Sequence, residues 1–254
     1  VASARYRQIA DELRELIATG VYPPGSTLPG QAELLTMYGT STATLAAATR
    51  ILTDAGVISR NVERGRLVVQ DPRPVYIDLT LAIPPGNGRG PWETACHRAG
   101  RTGTMQPISV TQVPAEPDVA QALQVSVGTI VVRRARHAAL DDQMVMLDTA
   151  YYPLAIVEDT PVAGTGKVVG GIWAALIAAG ILDPVTARVR ELISSRTATK
   201  DEAKSLRLRE GASVLTAERV TRDGEARPVE LLHRVANERR VRFESDSMPL
   251  TQLA

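Results

Sequence analysis

The stretch Gly86-Asn87-Gly88-Arg89-Gly90 is the kind of glycine-rich segment whose amides can cradle a phosphate. A phosphate loop also needs a Lys-Ser or Lys-Thr ending to carry the charge and the metal contact. Here the run ends in Arg89-Gly90 and follows Pro84-Pro85, so it predicts an open loop and no nucleotide site. Metal chemistry has no better footing. His97, His137 and His233 are scattered, and Cys96 beside His97 does not give the spacing of zinc ligands. No metal and no other cofactor is expected. Ser194-Ser195 could supply a nucleophile, but no Gly-x-Ser-x-Gly turn surrounds them, and after an apolar segment they read as a helix or loop boundary. The chain is not expected to be an enzyme.

A length of 254 residues exceeds what one small core needs, so one large domain or two unequal ones are expected. Hydrophobic residues at 44% and charged residues at 22% suit a globular protein. No apolar run approaches the roughly 20 residues that span a bilayer, and the start shows no secretory pattern. Cys96 is the single cysteine, so no intramolecular disulfide forms. A cytoplasmic protein without membrane contact is expected. The net charge of +1 does not by itself announce a nucleic-acid partner.

The elements give more. Tyr6, Ile9, Ala10, Leu13, Leu16 and Ile17 recur at helical spacing up to Gly20. Pro23, Pro24 and Gly25 force a turn, and a short helix runs from about Pro29 to Tyr38, ended by Gly39. Ser41 is placed to cap a third helix that turns Leu45, Ala48, Ile51 and Leu52 inward and stops at Gly56. Extended segments at Val57-Ile58 and Leu67 to Val69 flank a turn at Asn61 to Gly65. Three helices with a tight turn between the last two, then a hairpin, make a winged helix-turn-helix over residues 1–69. Residues 70–76, with Asp71, Pro72 and Pro74, read as a linker to a second domain at 77–254.

That second part repeats itself at an offset of 83 residues: Asp118, Ala120, Leu123, Gly128 and Arg136 fall on Asp201, Ala203, Leu206, Gly211 and Arg219. Each copy reads as a short helix, a glycine, an apolar strand, an acidic turn (Asp141-Asp142; Asp223-Gly224) and a return strand. Two such hairpins would join into one antiparallel sheet with helices on one face, an α+β domain. Between the copies, Ile172 to Ala179 forms a helix ending at Gly180 that lets Trp173 face the sheet. A cleft between related halves is a natural ligand site.

Tyr6-x2-Ile9-Ala10-x2-Leu13-x3-Ile17-x2-Gly20, Pro24-Gly25-x2-Leu28-Pro29, Thr44-Leu45, Gly56-Val57-Ile58 and Arg64-Gly65 before Val68 resemble the GntR winged-helix pattern. Leu123-x4-Gly128, Arg134-x-Arg136, Gly180, Leu206-x4-Gly211, Arg219 and Pro228-Val229-Glu230 resemble the effector domain (UTRA) of the HutC branch, whose fold is chorismate-lyase-like. The resemblance implies a homodimeric transcription regulator, a repressor released from a palindromic double-stranded DNA operator by a small-molecule effector. The alternative is a repurposed relative that has lost sequence-specific DNA binding and uses its cleft for catalysis or ligand binding.

The departures from the family pattern define the expected sites. Where relatives carry two DNA-contacting arginines, this chain has Thr42 and Ala46, which leaves Gln31, Ser41, Thr42 and Thr44 with the wing residues Arg64, Gly65 and Arg66 as the DNA-facing set. The hydroxyls are equally readable as helix caps and surface groups, and the wing arginines as solvated. In the effector half Arg134, Arg136 and Glu230 persist from the family pattern, and with Asp148 and Tyr151 nearby on the first return strand they are expected to anchor a polar end of the ligand. Gly171, Trp173 and Ala236 stand where relatives have polar side chains. An effector larger or more apolar than a sugar phosphate is expected. Pairing of the arginines with acidic neighbours across the sheet is the competing reading.

Overall fold

A computed structural model describes residues 2–60, 65–78, 88–141 and 143–245. They divide into two compact units, Val1–Arg73 and Pro74–Ala254.

The first unit is built from α1 (Ala2–Ala18), α2 (Gln31–Tyr38), α3 (Thr42–Asp54), β1 (Ile58–Arg60) and β2 (Leu67–Val69). Ile9 and Leu13 of α1, Leu34 and Tyr38 of α2, and Leu45, Ala48 and Leu52 of α3 close one core with Ile58 and Val69. Their three- and four-residue spacing puts each set on one helical face. Gly39 takes a left-handed conformation, φ 54°, that turns the chain from α2 into α3 within three residues. Ser41 then caps α3 by accepting from the Thr44 amide at 3.3 Å. β1 and β2 pair antiparallel, with Ile58 opposite Val69. The stretch 70–76, expected as linker, is shorter in fact. Gln70 is buried and donates to Ser59 Oγ at 2.7 Å, Asp71 is buried, and Val75 already belongs to a strand of the second unit.

The second unit begins with β3 (Val75–Asp78), α4 (Pro91–Arg98) and β4 (Gly103–Pro114). The first repeat supplies α5 (Pro117–Leu123), β5 (Ile130–Leu140) and β6 (Gln143–Pro153). After α6 (Leu154–Val157), α7 (Ile172–Ala178) and β7 (Arg188–Thr197), the second repeat gives α8 (Lys200–Ser205), β8 (Ser213–Arg222) and β9 (Pro228–Asn237), and β10 (Val241–Glu244) follows. The sheet order is β4-β5-β6-β9-β8-β7, so the two hairpins join along β6 and β9 as the repeat requires. β3 pairs separately with β10, in parallel.

Alternation assigns the sheet's two faces. Val132, Ala150, Tyr152 and Leu232 lie under Ile172 and Leu176 of α7, and Trp92 of α4 packs with Met146 and Ala236 beside them. Val131, Leu231 and Val220 face the other way, toward Val119, Ala120 and Leu123 of α5. Helices therefore cover both faces, not one: residues adjacent in each central strand are buried on opposite sides, and each side needs its own cover. Ser194 and Ser195, expected at a helix or loop boundary, lie exposed within the edge strand β7.

Candidate functional site

One face of the central strands carries ion pairs where an apolar core would be expected. Asp148 of β6 stands opposite Arg136 of β5 on one side and Arg234 of β9 on the other. Arg234 grips it with two parallel bonds of 2.8 Å each, and Arg136 reaches the same carboxylate at 3.3 Å. Across from Arg234, β8 offers Ala217, which has no side chain to compete for the acid. Burial alone would raise the Asp148 pKa, but Arg234 and Arg136 outweigh it and hold the group below its ordinary value.

Arg134 sits two residues along β5 and is 1% exposed. It faces no acid. Its guanidinium donates to the Val162 carbonyl at 2.8 Å, to Gly166 at 2.8 Å and to Gly164, clamping the chain between α6 and α7 over the sheet. Burial lowers its pKa, and the neighbouring Arg136 adds to the drop. Arg219 of β8 lies 4.5 Å from the ring centroid of Trp173 and pairs with Glu230 at 3.1 Å.

These groups line a cavity of about 90 Å³ together with Trp92, Met105, Met146, Gly171 and Trp173. Ile77 and Asp78 of β3 and the paired Glu93 and Lys167 complete parts of its wall. The Nε–H groups of Arg134, Arg136 and Arg219 are buried and bonded to nothing. They lie within the wall and not on its surface, so what the cavity is offered is the positive charge of the guanidinium groups and of Lys167. Such an arrangement can bind and orient an anion.

Of the expected effector residues, Arg134, Arg136, Asp148, Gly171 and Trp173 meet at this cavity. Glu230, Tyr151 and Ala236 do not line it. Glu230 is fully buried behind the wall and accepts from Tyr152 Oη at 2.8 Å, Thr221 Oγ1 at 2.7 Å, Trp173 Nε1 at 3.1 Å and Arg219 at 3.1 Å. Three of these donors share Oε2 and Tyr152 takes Oε1, and the fully buried carboxylate lies out of a ligand's reach. Tyr151 points to the opposite face, where its ring meets His233 edge-on, and Ala236 is core beside Met146. Sequence reasoning missed Arg234, Tyr152 and Lys167. Arg219 was in view as the repeat partner of Arg136, and the two copies do bring their equivalent arginines to one cavity.

In the first unit, Gln31 is exposed at the first position of α2, Ser41 and Thr42 are exposed at the start of α3, and Gly65 and Arg66 are exposed beside β2. Ser41 and Thr44 are partly spent on capping, with their hydroxyls 3.0 Å apart. Arg64 lies outside the described residues. Arg60, which the sequence did not single out, donates to the Gly65 carbonyl at 2.9 Å and braces the wing.

A family model for bacterial regulatory proteins of the gntR family matches residues 5–68, and one for the UTRA domain matches residues 98–242. The HTH-type transcriptional regulator RB1450 of Rhizobium meliloti is 29% identical over 97% of this chain and 93% of its own length. A crystallised protein assigned to the GntR family is 25% identical, with a TM-score of 0.59 over 96% of this chain and 98% of its own. PhnF from Mycobacterium smegmatis, at 18% identity, shares the fold with a TM-score of 0.60 over 94% of this chain and 99% of its own. Among the described residues no helix is long and apolar enough to cross a membrane. With a winged helix in front and a cavity-bearing sheet behind, the chain belongs to the gntR family of bacterial regulatory proteins, as a transcriptional regulator that couples a DNA-binding unit to an effector-binding UTRA domain.

Proposed function

We propose that the chain acts in the cytoplasm as a homodimeric repressor that leaves a palindromic operator when a small anionic effector fills the UTRA cavity. The observation that carries this reading is the gathering of Arg134, Arg136, Arg219, Arg234 and Lys167 around one cavity. Ile77 and Asp78 supply wall to the same cavity from β3, the strand that follows directly on the DNA-binding unit. A ligand that favours one setting of β3 over another would bias the dimer geometry, and by linkage operator DNA must weaken the ligand as much as the ligand weakens DNA. Each protomer would lay α3 in a major groove about one helical turn from its partner's. Gln31, Thr42 and Thr44 would touch bases or phosphates there, and Arg64, Gly65 and Arg66 would reach from the wing.

The test is electrophoretic mobility of DNA from the region upstream of the chain's own gene, over a salt series. A sequence-selective complex that weakens steeply with salt is expected, and its absence at every salt concentration overturns the reading. One observation favours a second reading, in which DNA reading has been lost and the cavity only binds a ligand: Thr42, Ala43 and Ala46 are exposed on α3 and none is a cation. Under that reading, Thr42→Arg combined with Ala46→Arg creates binding to operators of other family members that the natural chain lacks.

A further inference from the structure

Thr42, Ala43, Ala46, Arg50 and Thr53 are exposed along one side of α3, at the three- and four-residue steps that share a helical face. Leu45, Ala48 and Leu52 occupy the opposite side and are buried in the core of the first unit. In a helix-turn-helix the second helix enters the major groove, and side chains near its start meet the base edges. Those side chains are Thr42, Ala43 and Ala46.

The start of α3 presents methyl groups, because the hydroxyls around it are largely turned onto the helix itself. Thr49 Oγ1 donates to the Leu45 carbonyl at 3.1 Å, and Thr53 Oγ1 to the Thr49 carbonyl at 2.9 Å. Ser41 Oγ accepts from the Thr44 amide at 3.3 Å and lies 3.0 Å from Thr44 Oγ1. Thr42 keeps one hydroxyl, too few for the paired hydrogen bonds by which a side chain distinguishes guanine or adenine. Gln31 could make such a pair, but it opens α2, the helix that crosses the sugar-phosphate backbone. Arg50 follows Ala43 by two helical turns, about 10 Å, which places it where the helix passes from base edges to phosphates.

Thymine is the one base that offers the major groove an apolar group, its C5 methyl. Beside a G·C pair the alanine methyls would displace water from polar edges and return no hydrogen bond. The wing favours the same composition. Arg60 is committed to the Gly65 carbonyl at 2.9 Å while Arg66 is exposed, and an arginine at the minor groove is held best where A·T runs narrow it.

We infer that α3 reads thymines through their methyl groups, with Ala43, Ala46 and the Thr42 methyl in contact, so that each half-site has an A·T core and no guanine that α3 requires. The inference rests on the proposed binding of an operator through α3, and it specifies which operators the chain accepts.

The full chain, without added effector, is used to select from a random double-stranded DNA library at several salt concentrations. Enriched sequences are expected to carry two half-sites about one helical turn apart, each with an A·T core. Deoxyuridine in place of a core thymidine removes the methyl and preserves pairing, and is expected to weaken binding about fourfold per contacted methyl. Thr42→Val keeps the methyl and is expected to bind within about twofold of the parent, whereas Thr42→Ser keeps the hydroxyl and loses the preference for thymine over uracil at one position. Arg50→Gln weakens all sequences alike and lowers the salt dependence by about one phosphate. Circular dichroism checks that these surface variants keep their helices. A guanine invariant in both half-sites, uracil bound as tightly as thymine, or an Arg50→Gln loss confined to one G·C pair overturns the inference and leaves operator binding standing. Enrichment of no sequence at any salt concentration overturns both.

Discussion

Tyr152 of β6 donates its hydroxyl hydrogen to Glu230 Oε1 of β9 at 2.8 Å, and neither side chain reaches solvent. Burial raises the Tyr152 pKa well above its ordinary value and Glu230 raises it further. For Glu230 burial also pushes upward, but Arg219, Thr221 and Tyr152 together hold it below its ordinary value. The pair therefore stays as phenol and carboxylate, and it ties the two repeats together at the strands where they join. Tyr152→Phe removes one donor and leaves a buried carboxylate oxygen short of a partner, for a loss of about 2 kcal/mol. Urea unfolding of the variant checks this, and a loss within error of zero means that the pair is not structural.

Legibility in the sequence followed the range of each signal. Local signals were sufficient for the first unit: apolar spacing in α1 and α3, Ser41 before Thr42, and Gly39 and Gly56 as stops all correspond to observed features. The repeat located β5, β6, β8 and β9 because each copy carries its own turn. Strands β3 and β10 escaped notice since their partners lie more than 160 positions apart, and no local pattern announces a parallel pair. The edge strand β7 is exposed on both faces and shows no alternation to read. At the cavity, Arg134 and Arg136 were visible through family resemblance. Arg136 shares Asp148 with Arg234, which register alone brings to that acid. A slip of one residue also explains Tyr151: alternation sends it to the α5 face and its neighbour Tyr152 to Glu230.

Arg134 clamps the carbonyls of Val162, Gly164 and Gly166 and has no acid beside it. Arg134→Met removes three bonds but also a desolvated charge, and the two effects oppose one another. Gly164 and Gly166 are exposed, so their carbonyls turn to water once released. Global stability is expected to change by less than about 2 kcal/mol. Amide hydrogen exchange at residues 162–166, by contrast, accelerates strongly, because the clamp is local. Unchanged exchange there means that the segment is held by other contacts.

Gly103 opens β4 at a place where a Cβ would overlap Sγ and Cβ of Cys96 and come within 3.1 Å of Trp92 Nε1. Cys96 is fully buried on α4, and burial pushes its thiol up to about 12, so it is an inert packing group at neutral pH. Gly103→Ala is expected to cost about 1–3 kcal/mol through overpacking. Adding Cys96→Ala removes the sulfur and recovers part of that loss, and a double-mutant cycle from thermal unfolding measures the coupling. Full additivity of the two changes contradicts the overlap.

Glu202 closes a capping box on α8. It accepts from the Thr199 amide at 2.8 Å, and its own amide donates to Thr199 Oγ1 at 3.2 Å. Arg196 of β7 adds two bonds of 2.7 Å to the same carboxylate and fastens the helix to the edge strand. The Arg196 bonds act most strongly against the opposing effect of burial, and the Glu202 pKa falls from 4.5 to about 2. A lowered carboxylate pKa means that the folded state prefers the ionised form, so its contribution is complete above the unfolded value near 4.5 and drains away toward 2. Arg196 is 45% exposed, and water and salt screen much of the attraction. Glu202→Gln is therefore expected to cost about 1 kcal/mol at neutral pH, nearer the value of a lost cap than of the whole shift. The gap between variant and parent should stay level from neutral pH down to about 5 and narrow as the solution is acidified toward 2. A gap that persists unchanged at low pH assigns the loss to the geometry of the cap and not to its charge.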